Sequence, residues 1–359
     1  MSVHFWLRAE DKALEERAPL VPADAAKLLH AGHQVTVEPD SRRAFPLDEY
    51  QRAGCRTAPA HAWRDAPVDT VVLGLKELAE ESWPLVHRHI YFAHVYKNQQ
   101  GWKEVLRRFG DGQGSLFDLE YLTDESGRRV TAFGHWAGVV GAALGVELWS
   151  HQQLHPAEPL PAVHSFPSQK AMAEHATESL RLAMAAGAPK PRSLIVGAKG
   201  RCGSGAAEML GMCGLEATQW DLAETSRGGP FEEILDHDLF INAVFVQSRT
   251  PPFITREMLP RRRRLTALVD VSCDINNPTN TIPIYDRHTD FDAPAMRIAE
   301  APPLDVVAID HLPSLLPRES SEMFSSLLVR HLLDFERGSG VWSRAEAVFR
   351  KKLQEASAP

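Results

Sequence analysis

Four glycines fall within the twelve residues Leu194-Ile-Val-Gly-Ala-Lys-Gly-Arg-Cys-Gly-Ser-Gly205. Gly197, Gly200, Gly203 and Gly205 stand where an apolar run gives way to a helical pattern. Glycine there admits tight dihedrals and lets backbone approach a ligand closely, and the N–H groups and dipole of a helix start suit a pyrophosphate. The spacing departs from strict G-x-G-x-x-G, so a plain glycine turn stays open as an alternative. Asp221 weighs against it. It ends the next strand-like run, 24 residues beyond Gly197, where a carboxylate meets the adenosine ribose hydroxyls and repels a 2′-phosphate. The pattern predicts a site for NAD rather than NADP, with Arg227 nearby as a cation that could accommodate the phosphate.

A second set of ionisable residues lies in the first half. Arg8, Glu10, Glu16 and Arg17 follow the first strand-like run, Lys76 and Glu77 follow Val71–Leu75, and His94 follows Ile90–Ala93 with Lys97 and Gln99 just beyond. Glu120 lies in or after another such run, and Arg128 and Arg129 flank a turn. Parallel α/β folds place ligands at strand ends. Taken singly, each of these residues reads more simply as a surface ion pair or a core histidine. Lys76 and His94, each at the mouth of neighbouring strands, leave catalysis and structure equally open on spacing alone.

These groups need elements to hold them. Short runs at Val3–Leu7, Gln34–Glu38, Thr70–Leu75, Ile90–Val95 and Leu116–Leu122 predict strands, separated by helices over 22–31, 48–53 and 102–109. A second series follows: strands at 193–197, 217–221, 238–246, 265–271 and 296–299, with helices at 203–212 and 319–335. Strands alternating with helices imply parallel sheets. Phe133 to Gln152, with Gly134, Gly138, Gly141 and Gly145, predicts a buried helix whose small residues permit close packing between lobes. At 359 residues the chain has length for about two domains. A net charge of -8 argues against a dedicated nucleic-acid binder. Four cysteines without a CxxC pair argue against zinc or a disulfide framework, and no metal is expected. Charge arrives too early at the N-terminus for a signal peptide, and the most apolar stretch is too short to span a bilayer. A soluble, cytoplasmic protein is expected.

Several blocks together resemble one family. Arg-Ala-Glu-x-Lys-x-x-Glu-x-Arg at 8–17, Gly-Leu-Lys-Glu at 74–77 and Phe-Ala-His-x-Tyr-Lys at 92–97 are similar to the NAD-dependent, L-lysine-forming saccharopine dehydrogenases. So are Gly-Arg-Cys-Gly-Ser-Gly at 200–205, Glu-Thr-Ser-Arg-Gly-Gly-Pro-Phe at 224–231 and Ile-Asp-His-Leu-Pro-Ser-Leu-Leu-Pro-Arg-Glu at 309–319. The first block also resembles alanine dehydrogenases and transhydrogenases. The family implies an α/β fold of two Rossmann-like lobes with the active cleft between them: residues 1–132 plus 340–359 on the substrate side, and 133–339 binding NAD. It also implies a monomer acting on saccharopine, L-lysine and 2-oxoglutarate, with no nucleic-acid or membrane partner. Two competing activities stay open, an alanine-dehydrogenase-like oxidoreductase and a non-catalytic NAD sensor.

The resemblance implies roles residue by residue. Lys76 takes a proton from the substrate amine, and His94 activates water and shuttles protons afterwards, the two proton transfers that amine oxidation and imine hydrolysis need. Glu77 and Glu120 match acidic positions that raise the proton affinity of both bases. Arg17, Lys97, Gln99, Arg128, Arg129 and Phe133 match substrate-side positions, cations there suiting the three carboxylates of saccharopine. Gly200, Arg201, Gly203, Asp221, Thr225, Phe245, Val271, Ile309, Asp310, His311 and Leu312 are expected to face the cofactor. The chain departs from fungal members at Ala243, where they can carry a cysteine, and at Phe245, where they carry a tyrosine.

Overall fold

Runs of β-branched and aromatic residues, each closed by a turn, build two separate mostly parallel sheets in the computed structural model. The structure describes residues 2–12, 15–97, 99–244, 246, 250–273, 275, 277–338 and 340–357. They divide into two compact units, 1–132 with 317–359, and 133–316.

The first unit opens with β1 (His4–Leu7), α1 (Pro22–His30), β2 (Gln34–Val37), α2 (Leu47–Arg52) and β3 (Arg56–Thr57). It continues through β4 (Val71–Leu73), β5 (Arg88–Tyr91), α3 (Trp102–Gly112) and β6 (Ser115–Asp118). Pro22 occupies the first turn of α1, where its missing N–H costs nothing. The strand order is β3-β2-β1-β4-β5-β6, all parallel, so the order reverses between β1 and β4. Ligands of open α/β sheets bind at such a reversal, at the carboxyl ends of the strands. Phe5, Leu7, Val72, Leu73 and Ile90 are wholly buried, each worth about 1.5–3 kcal/mol of transfer free energy.

The second unit contains α4 (Gly134–Leu154), α5 (Gln169–Ala185), β7 (Ser193–Val196), α6 (Arg201–Met212), β8 (Ala217–Trp220) and α7 (Leu222–Thr225). After these come β9 (Leu239–Asn242), β10 (Ala267–Asp270), β11 (Met296–Glu300) and β12 (Pro303–Val307). Its sheet runs β11-β12-β10-β9-β7-β8, with β11 antiparallel to β12 and the rest parallel. The sequence reading identifies β11 but not β12, whose pattern Pro-Leu-Asp-Val-Val is broken by a buried aspartate. Asp305 is tolerated there because Arg297 and Gln152 both donate to its carboxylate.

Three expectations need correction. The chain returns to the first unit at Pro317, not at 340. The helix that follows, α8 (Pro317–Leu332), buries Ser321 and Ser325, which accept the N–H groups of Ala18 and Val21 at 2.8 and 3.0 Å. Val21 starts α1 without a side-chain cap; its own N–H goes to Ser325 of α8, and its carbonyl takes the Asp24 N–H. The last helix, α9 (Gly340–Ser357), also packs there: Trp342 meets Phe117 edge-on, and Phe349 meets Phe109. Second, the small residues of α4 serve packing inside the second unit. A Cβ at Gly138 would overlap the Cys202 carbonyl oxygen, and one at Gly145 would press on Leu239 and Val269. Third, the strands predicted to reach Val95 and Leu122 stop at Tyr91 and Asp118; beyond them the Asp118 carboxylate takes the N–H groups of Ala93 and Glu120. Among the described residues, no helix is long and apolar enough to cross a membrane.

Candidate functional site

The carboxyl ends of β4, β5 and β6 carry the ionisable groups of the first unit. Lys76 and Glu77 follow β4, and His94 follows β5. His94 takes a left-handed backbone, φ 53°, a conformation unfavourable for a residue with a Cβ and enriched at turns and functional sites. It stacks on Phe92 at 6.2 Å, and its Nε2 lies 3.9 Å from a carboxylate oxygen of Glu77. Burial lowers the affinity of the His94 ring for a proton. Glu77 and Glu120 pull it back up, while Lys76 and Lys97 press it down. The net result is a ring biased toward the neutral, basic form.

Glu120 stands in a short 3₁₀ turn, Leu119–Tyr121, after β6, and holds the Lys97 ammonium at 2.8 Å. Gln99 accepts the Lys97 backbone N–H at 2.8 Å. Beneath them is Asp118, which no pattern in the sequence marked. Its carboxylate accepts the N–H groups of Glu120 and Ala93 at 2.9 and 3.3 Å, tying the β5 and β6 turns together. Burial pushes this carboxyl up to about 7. The available signal was an aspartate closing an otherwise apolar strand.

Arg17 is buried and forms a two-pronged pair with Glu15, 2.7 and 2.6 Å. Burial pushes the Glu15 carboxyl upward, but Arg17 and, more weakly, the charge of Lys76 overcome it and hold it below the ordinary value. Arg128 is paired with Asp124 across its own exposed turn, and the backbone of Arg129 forms an antiparallel bridge with Thr123. Phe133 occupies the N-cap position of α4 and belongs to the second unit.

In the second unit the glycine turn closes tightly against α6. Gly197 has φ 86°, and a Cβ at Gly203 would overlap the Gly197 carbonyl oxygen, so α6 can begin against the turn only without side chains there. Gly200 is the N-cap of α6 and Arg201 its first residue. Asp221, at the end of β8, accepts the Lys199 N–H at 2.9 Å. That bond, with a second from Leu222, holds its carboxyl below the ordinary value, keeping the anion beside the glycine turn. Asp221 also caps α7, where Thr225 donates its hydroxyl to the Asp221 carbonyl at 2.9 Å. Arg227 is engaged elsewhere, paired with Glu233 at 2.5 Å and lying over Phe231.

Val271 and the 309–312 segment sit at the carboxyl ends of β10 and β12. Val271 donates to the Asn242 carbonyl, Ile309 and Leu312 are buried, and Asp310 pairs with His311 at 2.5 Å. Sequence reasoning missed the support below Val271: buried Asp270 accepts from Asn242, Tyr285 and the N–H groups of Ser272 and Cys273. Phe245 lies outside the described residues. Among the described residues, no group of three or more histidines, cysteines or carboxylates is placed to hold a metal.

Residues 6–140 match the family model for the alanine dehydrogenase/PNT N-terminal domain. The saccharopine dehydrogenase [NAD(+), L-lysine-forming] of Schizosaccharomyces pombe is 46% identical, covering 98% of this chain and 99% of the relative. The protein of the same name from Candida glabrata is 48% identical, covering 99% and 98%. Among solved structures, an L-alanine dehydrogenase superposes with a TM-score of 0.68 at 15% identity, covering 99% of both chains; at that identity the likeness speaks for the fold alone. The strand-end lysine, histidine and glycine turn thus sit in a sequence matched end to end by these fungal enzymes, and the chain belongs to the saccharopine dehydrogenase (NAD(+), L-lysine-forming) family.

Proposed function

We propose that the chain catalyses the reversible oxidation of saccharopine by NAD+ and water to L-lysine, 2-oxoglutarate and NADH, with Lys76 and His94 as its acid/base groups. The observation that carries this reading is the placement of a lysine and a biased-neutral imidazole after adjacent parallel strands in a chain of that family. The glycine turn, the α6 N-terminus and Asp221 fit a dinucleotide without a 2′-phosphate. NAD bound there would supply the hydride acceptor.

The chain's own residues do the rest. Lys76 removes the proton from the secondary ammonium, freeing the nitrogen lone pair that must accompany departure of hydride from the neighbouring carbon. His94 takes a proton from water as its oxygen adds to the imine carbon, returns it to the carbinolamine nitrogen, and then accepts the hydroxyl proton as the C–N bond breaks, the carbonyl forms and the amine departs. Arg17, Lys97, Gln99, Arg128, Arg129 and Phe133 are assigned to the substrate, their cations matching its three carboxylates. The same reading takes the working form as a cytoplasmic monomer without nucleic-acid or membrane partners.

Incubation with NAD+ and either saccharopine or alanine, followed by NADH absorbance, tests the activity. NADH from saccharopine is expected; NADH from alanine alone rejects the assignment, and binding of NADH without turnover of either favours a sensor. His94→Gln and Lys76→Met should each lower turnover at least tenfold with NADH affinity nearly intact. Unaltered rates in both remove the acid/base roles.

A further inference from the structure

Two side chains after β1, Arg8 and Glu10, are almost fully buried, 1% and 4% exposed. Burying a charged pair is costly, and apolar replacements of similar volume often stabilise a protein as well or better. Their contacts point to one residue. The Glu10 carboxylate accepts the Leu75 N–H at 2.6 Å with one oxygen and the Lys76 N–H at 3.0 Å with the other. Arg8 donates to the Lys76 carbonyl and to the Ala9 carbonyl, and its guanidinium stands 3.4 Å from Glu10. Both main-chain polar groups of Lys76 are therefore held by side chains from the neighbouring strand's loop.

The surroundings are arranged around this clamp. A Cβ at Gly74 would overlap the Arg8 guanidinium, so the residue just after β4 leaves room for it. Asp40 accepts the Glu10 N–H at 3.0 Å, Arg43 donates to the Arg8 carbonyl at 2.9 Å, and Arg42 donates to the Glu10 carbonyl. The segment 74–77 has no helix or strand of its own to fix it.

We propose that Glu10 and Arg8 are positioning residues for Lys76: a buried ion pair that fixes the peptide on either side of the lysine, so that its amine starts from a set point at the strand end. This rests on the reading of Lys76 as the base. A displacement of about 1 Å at a reacting group can cost about a hundredfold in rate, so a rigid backbone anchor has a kinetic consequence that general stability does not.

A double-mutant cycle tests it, with saccharopine and NAD+ as substrates. Glu10→Ala is expected to lower kcat ten- to a hundredfold, with the KM for saccharopine and the affinity for NADH changed less than threefold. Glu10→Gln, which keeps one of the two acceptor oxygens, loses only two- to tenfold. In a Lys76→Met background Glu10→Ala causes no further loss. Equal losses in the wild-type and Lys76→Met backgrounds would overturn the positioning role while leaving the base assignment intact. Full turnover by Lys76→Met alone overturns both. Should Glu10→Ala not fold, the same cycle is read with Glu10→Gln, for which a two- to tenfold loss seen only when Lys76 is present supports the proposal and an equal loss in both backgrounds overturns it.

Discussion

Glu147 lies in the middle of α4 with its side chain only 7% exposed, and burial pushes its carboxyl up to about 7 from an ordinary 4.5. Its Oε1 makes no hydrogen bond; the nearest cation-forming group is His175 on α5, 3.7 Å away and largely exposed. Because the folded protein binds this proton more tightly than the unfolded chain, stability is fully present below about 4.5 and is lost as pH rises through about 7. At about 1.4 kcal/mol per pH decade, ionising Glu147 removes about 2–3 kcal/mol between about pH 5 and pH 8. Glu147→Gln cannot ionise. Urea unfolding of both proteins across that range should show the glutamine variant gaining about 2–3 kcal/mol on the wild type toward high pH. Asp118 also ionises in this range, but it is present in both proteins and cancels in the difference. A difference that stays constant to within about 0.5 kcal/mol from acid to alkaline pH would refute the reasoning, since it would mean that Glu147 has an ordinary solvated carboxyl.

Two further expectations concern the sites. Asp221→Ser removes the anion beside the glycine turn and should raise the KM for NADH while improving use of NADPH, shifting the preference at least tenfold; an unchanged NADPH:NADH ratio of kcat/KM argues that Asp221 serves only to cap α7. Glu77→Gln removes the carboxylate that favours the charged form of His94, so the imidazole titration followed by NMR should move to lower pH, and a shift to higher pH contradicts the electrostatic assignment.

Local spacing was enough to place most of the strands, the glycine turn and Asp221, because each depends on a short run of neighbours: an apolar strand, a backbone that must approach the helix, an acidic residue at the next strand end. It also brought Lys76 and His94 to neighbouring strand ends, since parallel order follows from alternating strands and helices. It did not reveal the left-handed backbone of His94, nor Asp118 beneath it, which joins the turns after two neighbouring strands. The purpose of the α4 glycines emerged only when Gly138 met the Cys202 carbonyl on another helix. The return of the chain at Pro317 rests on Ser321 and Ser325 meeting the N–H groups of Ala18 and Val21, near the opposite end of the sequence. Buried polar groups take whichever partner the fold brings within hydrogen-bonding distance, and that partner is set by packing across the chain, not by spacing along it. For the same reason Arg8 and Glu10 read in one dimension as surface charge, and only the folded sheet turns them toward the peptide of Lys76.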